Sequence, residues 1–166
     1  MEQATINKSI RLSEHITLGE VTKSSHTEIN NIPSHVAIEN LKRVCVWLED
    51  LRFTYNSLYC LKPGEDYETS KNVEPIIINS GYRSPELNKK VGGAPNSNHL
   101  TGCAVDIHVA GIEQAMRYAV ILMDYADETK QDYDELLIER NSKGHYWVHF
   151  AVRPKDNRRK TMMIQT

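Results

Sequence analysis

The chain has 166 residues and a formal net charge of -2, from 20 basic and 22 acidic residues, so its charge gives no reason to expect nucleic acid or an anionic membrane as partner. Its length allows one domain that buries its own core without disulfides or a structural metal. The three cysteines show no C-x-x-C spacing, which predicts reduced thiols rather than a disulfide framework.

The N-terminal residues do not have the pattern of a secretory signal. Residues 1–12 are polar and charged, where a secretory signal would need an apolar run of about 7–15 residues. No window approaches the ~20 apolar residues of a membrane span. We therefore expect cytoplasmic synthesis. We also expect a monomer with one domain over residues 1–166, which includes a polar N-terminal arm over 1–11 and a basic C-terminal tail over 153–166.

The first half of the chain is predicted to be helical. A short helix is predicted near Thr17–Val21. Ser34 has the character of an N-cap, and apolar residues recur after it at three- and four-residue intervals, which predicts a long helix over His35–Tyr59. Lys62–Asp66 breaks this helix, and a polar surface loop is expected as far as Glu74.

The second half alternates between short strands and helices. In chain order we predict a strand at 75–79, a helix from Pro85 to about Val91 after an N-cap at Ser84, a loop over 92–98 that places His99 at the surface, a strand at 103–109, a helix from 112 to about 128, and a hairpin of 136–139 with 145–152. These elements indicate an α+β fold, with a small, mainly antiparallel sheet and flanking helices.

Two segments carry the residue types of a catalytic zinc site. His99 and Asp106 stand seven residues apart around Gly102, and His149 follows an apolar, aromatic run. Two histidines and one carboxylate, with a fourth position left for water, are a typical catalytic zinc set. His145 shares a strand face with His149 but lies about 13 Å away along an extended strand, so only one of them can hold the ion. We choose His149 and assign His145 to the rim of the site.

These motifs resemble those of a known family. They are Ser80-Gly81-Tyr82-Arg83-Ser84, Ser97-x-His99-x-x-Gly102-x-Ala104-x-Asp106, and Trp147-Val148-His149 after Asp134-Glu135-Leu136-Leu137-Ile138-Glu139. In this order along the chain, they resemble the motifs of the zinc D-Ala-D-Ala carboxypeptidases and related peptidoglycan peptidases, including phage endolysins. The zinc fold of this family is shared with the hedgehog signalling domain. The resemblance covers roughly Leu12 to Val152, and Asn98 stands where that family usually has glutamine. It implies one Zn²⁺ held by His99, Asp106 and His149.

The resemblance also implies a general base, and we assign this role to Glu139. A plain four-residue turn would put Glu139 opposite Tyr146 or Trp147, about 7–10 Å in strand rise from His149. A bulge or a longer loop would close that distance. The alternatives are that Glu139 is an exposed charge at the end of a strand, and that Asp134 is the base instead.

Three residues are candidates for substrate contacts. The guanidinium of Arg83 could bind a substrate carboxylate or a developing oxyanion, or it could form a structural ion pair. Ser97 could bond the substrate peptide or cap its own loop. Trp147 shares the strand face of His149, so it could form the floor of the cleft or pack in the core.

The family resemblance implies a zinc-dependent metallopeptidase that hydrolyses an amide bond in peptidoglycan stem peptides, as a carboxypeptidase or an endopeptidase. Without a signal peptide, such a cell-wall lytic enzyme suits a phage or prophage endolysin that is released after synthesis. The competing hypothesis is a hedgehog-like binding module that keeps the zinc without turnover. A working peptidase needs its base within hydrogen-bond reach of the attacking water, which distinguishes the two.

Overall fold

The computed structural model describes residues 6–166, in which helices alternate with the strands of one sheet. The elements are α1 (Leu18–Thr22), α2 (His35–Tyr59), β1 (Ile78–Ser80), α3 (Pro85–Lys90), a 3₁₀ helix (Asn98–Thr101), β2 (Ala104–His108), α4 (Ile112–Thr129), β3 (Glu135–Arg140), β4 (Tyr146–Ala151) and β5 (Lys160–Gln165). No helix of this part of the chain is long and apolar enough to cross a membrane.

The long helix α2 has the predicted bounds because its cap and its apolar spacing agree. The side chain of Ser34 accepts a hydrogen bond from the N–H of Ala37 at 3.2 Å, which satisfies one free donor of the first turn. Leu41, Val44 and Leu48 are fully buried and recur on one face. The helix therefore covers the sheet with one apolar side.

The sheet has the strand order β1-β2-β4-β3-β5. Its pairs are antiparallel, except that β3 and β5 run parallel. The mainly antiparallel α+β fold expected from the sequence is thus confirmed. In the register of the central strands, Asp106 lies opposite His149, and His149 lies opposite Leu137 on its other side.

The two faces of the sheet differ in chemistry because successive side chains of a strand alternate. One face packs into the core shared with α2 and α4 through Val105, Ile107, Leu136, Ile138, Val148 and Phe150. The opposite face carries Asp106 on β2, Glu135 and Glu139 on β3, and His149 on β4. The apolar face therefore anchors the strands, while the other face is free to carry a polar site.

Two elements differ from their predicted positions. The strand expected at 75–79 lies at Ile78–Ser80, because pairing with β2 begins at Ile78. The basic segment 153–166, expected as a tail, instead contains β5, which covers the edge of β3, and Arg158, which binds Asp134. The unpaired edge of β3 favours pairing with a further strand. Because β5 is mostly exposed, it has no clear apolar pattern in the sequence. The start of the predicted arm over 1–11 lies outside the described residues.

Candidate active site

His99 lies in the 3₁₀ helix, and a tight turn after it leads into β2. The side chain of Ser97 accepts a hydrogen bond from the N–H of His99 at 3.3 Å. Gly102 closes the helix with φ of 73°, and a Cβ there would meet the carbonyl oxygen of Ala37 at 2.4 Å. Both the left-handed backbone and the close approach to α2 require glycine.

The ring of His99 is buried, with 2% of the residue exposed, so the prediction that its loop delivers it to the surface was wrong. Its Nδ1 donates to the carbonyl oxygen of Gly81 at 2.6 Å. This bond fixes the tautomer and leaves Nε2, 3.2 Å from Oδ1 of Asp106, as the nitrogen that can hold a metal. A Cβ at residue 81 would meet the carbonyl oxygen of Val21 at 2.3 Å, so only glycine brings this acceptor so close to α1.

Asp106 and His149 complete a cluster of three possible ligands. Oδ1 of Asp106 lies 2.9 Å from Nδ1 of His149. One ligand atom from each of His99, Asp106 and His149 lies within 4.8 Å of the other two. Two imidazole nitrogens and one carboxylate oxygen at this spacing suit a single zinc-type ion, and the second nitrogen of each ring has an acceptor. The residues therefore fit a metal site.

The charges of this cluster shift the pKa values of its members. Burial opposes ionisation of Asp106, but the two histidines outweigh it and hold the pKa of this carboxyl well below its usual range. Burial lowers the pKa of His149, yet hydrogen bonds to Asp106 and Glu135 raise it to about 9. A proton therefore competes with a metal ion for Nδ1 of His149.

Glu135 belongs to the site, although the sequence analysis did not select it. Its Oε2 lies 3.3 Å from Nε2 of His149 and accepts from the amide of Asn98 at 3.1 Å, while its Oε1 accepts from Arg158 at 2.9 Å. A carboxylate on the outer nitrogen of a ligand histidine orients the ring and raises its basicity. Side chains alternate along β3, so Glu135 lies on the same face as Glu139. This alternation is the sequence signal that could have identified Glu135 as a site residue.

Glu139 lies on the site face and opposite Trp147, one of the two partners that the sequence predicted for it. It is therefore a diagonal neighbour of His149, and such neighbours are about 7–8 Å apart, within reach of long side chains. The side chain is half-buried, and burial raises the pKa of its carboxyl. No hydrogen bond to this carboxyl is found among the described residues. Glu139 is thus a partly desolvated carboxylate beside the cluster, rather than an exposed charge at a strand end.

Asp134, the alternative base, is fully buried and held by several donors. Arg158 bonds both of its carboxylate oxygens, at 2.9 and 2.7 Å, and Asn98 donates to it at 2.8 Å. Burial raises the pKa of Asp134, but these hydrogen bonds outweigh the effect and lower it to about 2. A carboxylate so occupied is a poor proton acceptor, so the geometry favours a structural role.

Arg83 forms an ion pair with the cluster, which is one of the two roles that the sequence predicted for it. Its Nη2 lies 2.7 Å from Oδ2 of Asp106, and its Nε donates to Oγ of Ser80 at 2.9 Å.

Trp147 is partly buried on the site face. His145 is exposed in the turn between β3 and β4, where its N–H donates to Oδ1 of Asn141.

Comparison with known families gives one match. The sequence model of the Peptidase M15 family matches residues 65–139, a segment that holds Arg83, Ser97, His99, Asp106 and Glu139 and ends before His149. A comparison with curated proteins gave no match. The M15 peptidases are zinc-dependent hydrolases, and the His-Asp-His cluster is the corresponding candidate metal site. The match supports the family that the sequence motifs resemble, the zinc D-Ala-D-Ala carboxypeptidase-like M15 peptidases.

Proposed function

We propose that this chain is a zinc-dependent metallopeptidase that hydrolyses an amide bond in peptidoglycan stem peptides. The observation that carries the proposal is the buried cluster of His99, Asp106 and His149 with the half-buried Glu139 beside it. The M15 match supports a peptidase acting on a peptide. The peptidoglycan substrate, the lytic role and a phage or prophage origin rest on the family resemblance.

His99, Asp106 and His149 would hold the ion through two neutral nitrogens and one carboxylate. Bound zinc polarises a carbonyl and lowers the pKa of water to about 7. Gly81 and Glu135 hold the outer nitrogens of the two rings, so the ligand set is organised in advance.

Glu139 would take a proton from the attacking water and pass it to the leaving nitrogen. A carboxyl suits this work when its pKa lies nearer to the working pH than that of an exposed glutamate, and burial moves Glu139 in that direction. The guanidinium of Arg83 lies beside Asp106, and its positive charge would stabilise the negative charge that develops on the carbonyl oxygen of the substrate during hydrolysis. Trp147, on the site face of β4, and Ser97, before the 3₁₀ helix, are proposed substrate contacts.

The test is digestion of purified peptidoglycan, with mass spectrometry of the products. Samples would be the zinc-loaded wild type, the wild type treated with EDTA and then resupplied with zinc, Glu139→Gln, and the exposed control Glu128→Gln. We expect cleavage by the wild type and the control, loss with EDTA, recovery with zinc, and loss in Glu139→Gln. The product masses would identify the bond. A zinc-loaded wild type that binds peptidoglycan without cleaving it would favour the hedgehog-like binding module.

A further inference from the structure

A pocket of about 190 Å³ opens next to the candidate active site. Arg83 forms part of its wall, and the same side chain contacts Asp106. The segment after α1 contributes Lys23 and His26 to the lining. The side chain of Arg83 is therefore shared between the pocket and the candidate metal cluster.

The lining of this pocket is suited to an anion. It carries Lys23, Arg83 and His26 together with the hydroxyls of Ser24, Ser25 and Ser80, and no carboxylate is among its lining residues. Hydroxyl and ammonium groups are the donors that a carboxylate accepts from. The chemical class of ligand that fits is a small negatively charged group.

The cation free to recognise that group is Lys23. Arg83 is engaged by Asp106 and Ser80, and the ring of His26 lies 3.3 Å from a carboxylate oxygen of Glu28. Lys23 is exposed at the C-terminal end of α1 and forms no ion pair with any residue that the structure describes. Its ammonium group on a flexible stem can reach a carboxylate from several directions.

We propose that the pocket binds a carboxylate of the peptide substrate and that Lys23 is the residue that recognises it. The proposal rests on the proposed peptidase function, which it deepens by naming a specificity determinant. Because the pocket adjoins Arg83, a carboxylate seated there lies close to the bond that is cut. That carboxylate is either the C-terminus of the peptide or an acidic side chain.

The experiment measures binding to the zinc-loaded protein by NMR titration with three small probes, and the same spectra show whether each probe stays intact. N-acetyl-D-alanine presents a terminal carboxylate, the α-amide of N-acetyl-D-glutamate presents a side-chain carboxylate, and N-acetyl-D-alaninamide presents neither. The variants are Lys23→Met, Lys23→Arg and the exposed control Lys62→Met. We expect Lys23→Met to weaken one of the acids about tenfold, with the amide unaffected and Lys23→Arg close to the wild type.

The acid that loses affinity identifies the source of the carboxylate. The proposal is overturned if the wild type binds neither acid better than the amide, or if Lys23→Met binds both acids as the wild type does. A direct bond between the carboxylate and zinc would produce that second result. Because the spectra record the binding of intact probes, the outcome is independent of turnover. Absence of peptidoglycan cleavage would count against the proposed function alone.

Discussion

Asp106 and His149 face each other across the antiparallel pair β2 and β4, with Oδ1 of the aspartate 2.9 Å from Nδ1 of the histidine. Two residues in this relationship are held by the ladder hydrogen bonds on both sides of them. Their apolar neighbours Ile107 and Val148 are fully buried on the other face of the sheet. The backbone ladder and these buried neighbours therefore fix the spacing of the pair.

Replacement of Asp106 by asparagine should abolish tight metal binding while the fold remains. The variant keeps the shape but loses the charge of the only carboxylate in the cluster of possible ligands. We expect zinc affinity to fall by about 100-fold or more. Competition with a chromophoric chelator measures it, with the exposed Asp124→Asn as control. EDTA should lower the Tm of the wild type and leave that of Asp106→Asn unchanged. Equal zinc affinity in both proteins would rule out Asp106 as a ligand.

Replacement of Glu135 by glutamine should weaken zinc binding without removing activity at saturating zinc. The variant keeps an acceptor for Nε2 of His149 but removes the negative charge that makes the ring more basic. Loss of such a partner usually costs 10–100-fold in metal affinity. We would measure zinc affinity and kcat in parallel, with Glu128→Gln as control. A drop in kcat at full zinc occupancy, with affinity intact, would instead place Glu135 among the groups that act on substrate.

The local signals of the sequence were sufficient to select His99, Asp106 and His149, which the structure brings together, and to predict the strands that carry Asp106 and His149. Strand alternation put Asp106 and His149 on consistent faces, and the predicted hairpin put Glu139 opposite Tyr146 or Trp147, of which Trp147 is its partner. The burial of His99 was missed because it depends on Gly81 and Gly102 packing against the backbone of α1 and α2. Such an approach between distant segments has no periodicity that a sequence could display.

The role of Arg158 was missed for a related reason. It follows a proline-containing, basic stretch with no apolar pattern, yet its guanidinium bonds Asp134 and Glu135. The parallel pairing of β5 with β3 brings it there. Parallel pairing joins segments that are not adjacent through a tight turn, so hairpin signals cannot predict it.

As the pH is lowered, the activity should begin to fall at a higher pH than it would if the general base were a glutamate with an ordinary pKa. Burial raises the pKa of Glu139 above 4.5, and a general base works only when ionised. The acid limb of kcat/KM at saturating zinc should therefore show an apparent pKa above 4.5, with metal content verified at each pH. A profile that stays flat from about pH 4 to 9 would contradict both the base and the metal site.

Replacement of Arg158 by methionine should destabilise the protein, because Asp134 would stay buried with fewer donors. We expect a loss of about 1–3 kcal/mol in the free energy of unfolding at neutral pH, measured by urea denaturation. The matched control is Arg159→Met, since that guanidinium pairs with the exposed Asp127 and Asp132 and should contribute less than about 1 kcal/mol.

The pH dependence of that loss provides a second check. The pKa of Asp134 is lowered from 3.8 to about 2 in the folded protein, so its ionised form stabilises the fold above pH 3.8. This stabilisation is lost as the pH falls toward 2, where the carboxyl takes up a proton. The difference between wild type and Arg158→Met should therefore be full at neutral pH and shrink below about pH 4. A difference that stays constant down to about pH 2 would mean that Arg158 acts through packing of its stem rather than through the charge of Asp134.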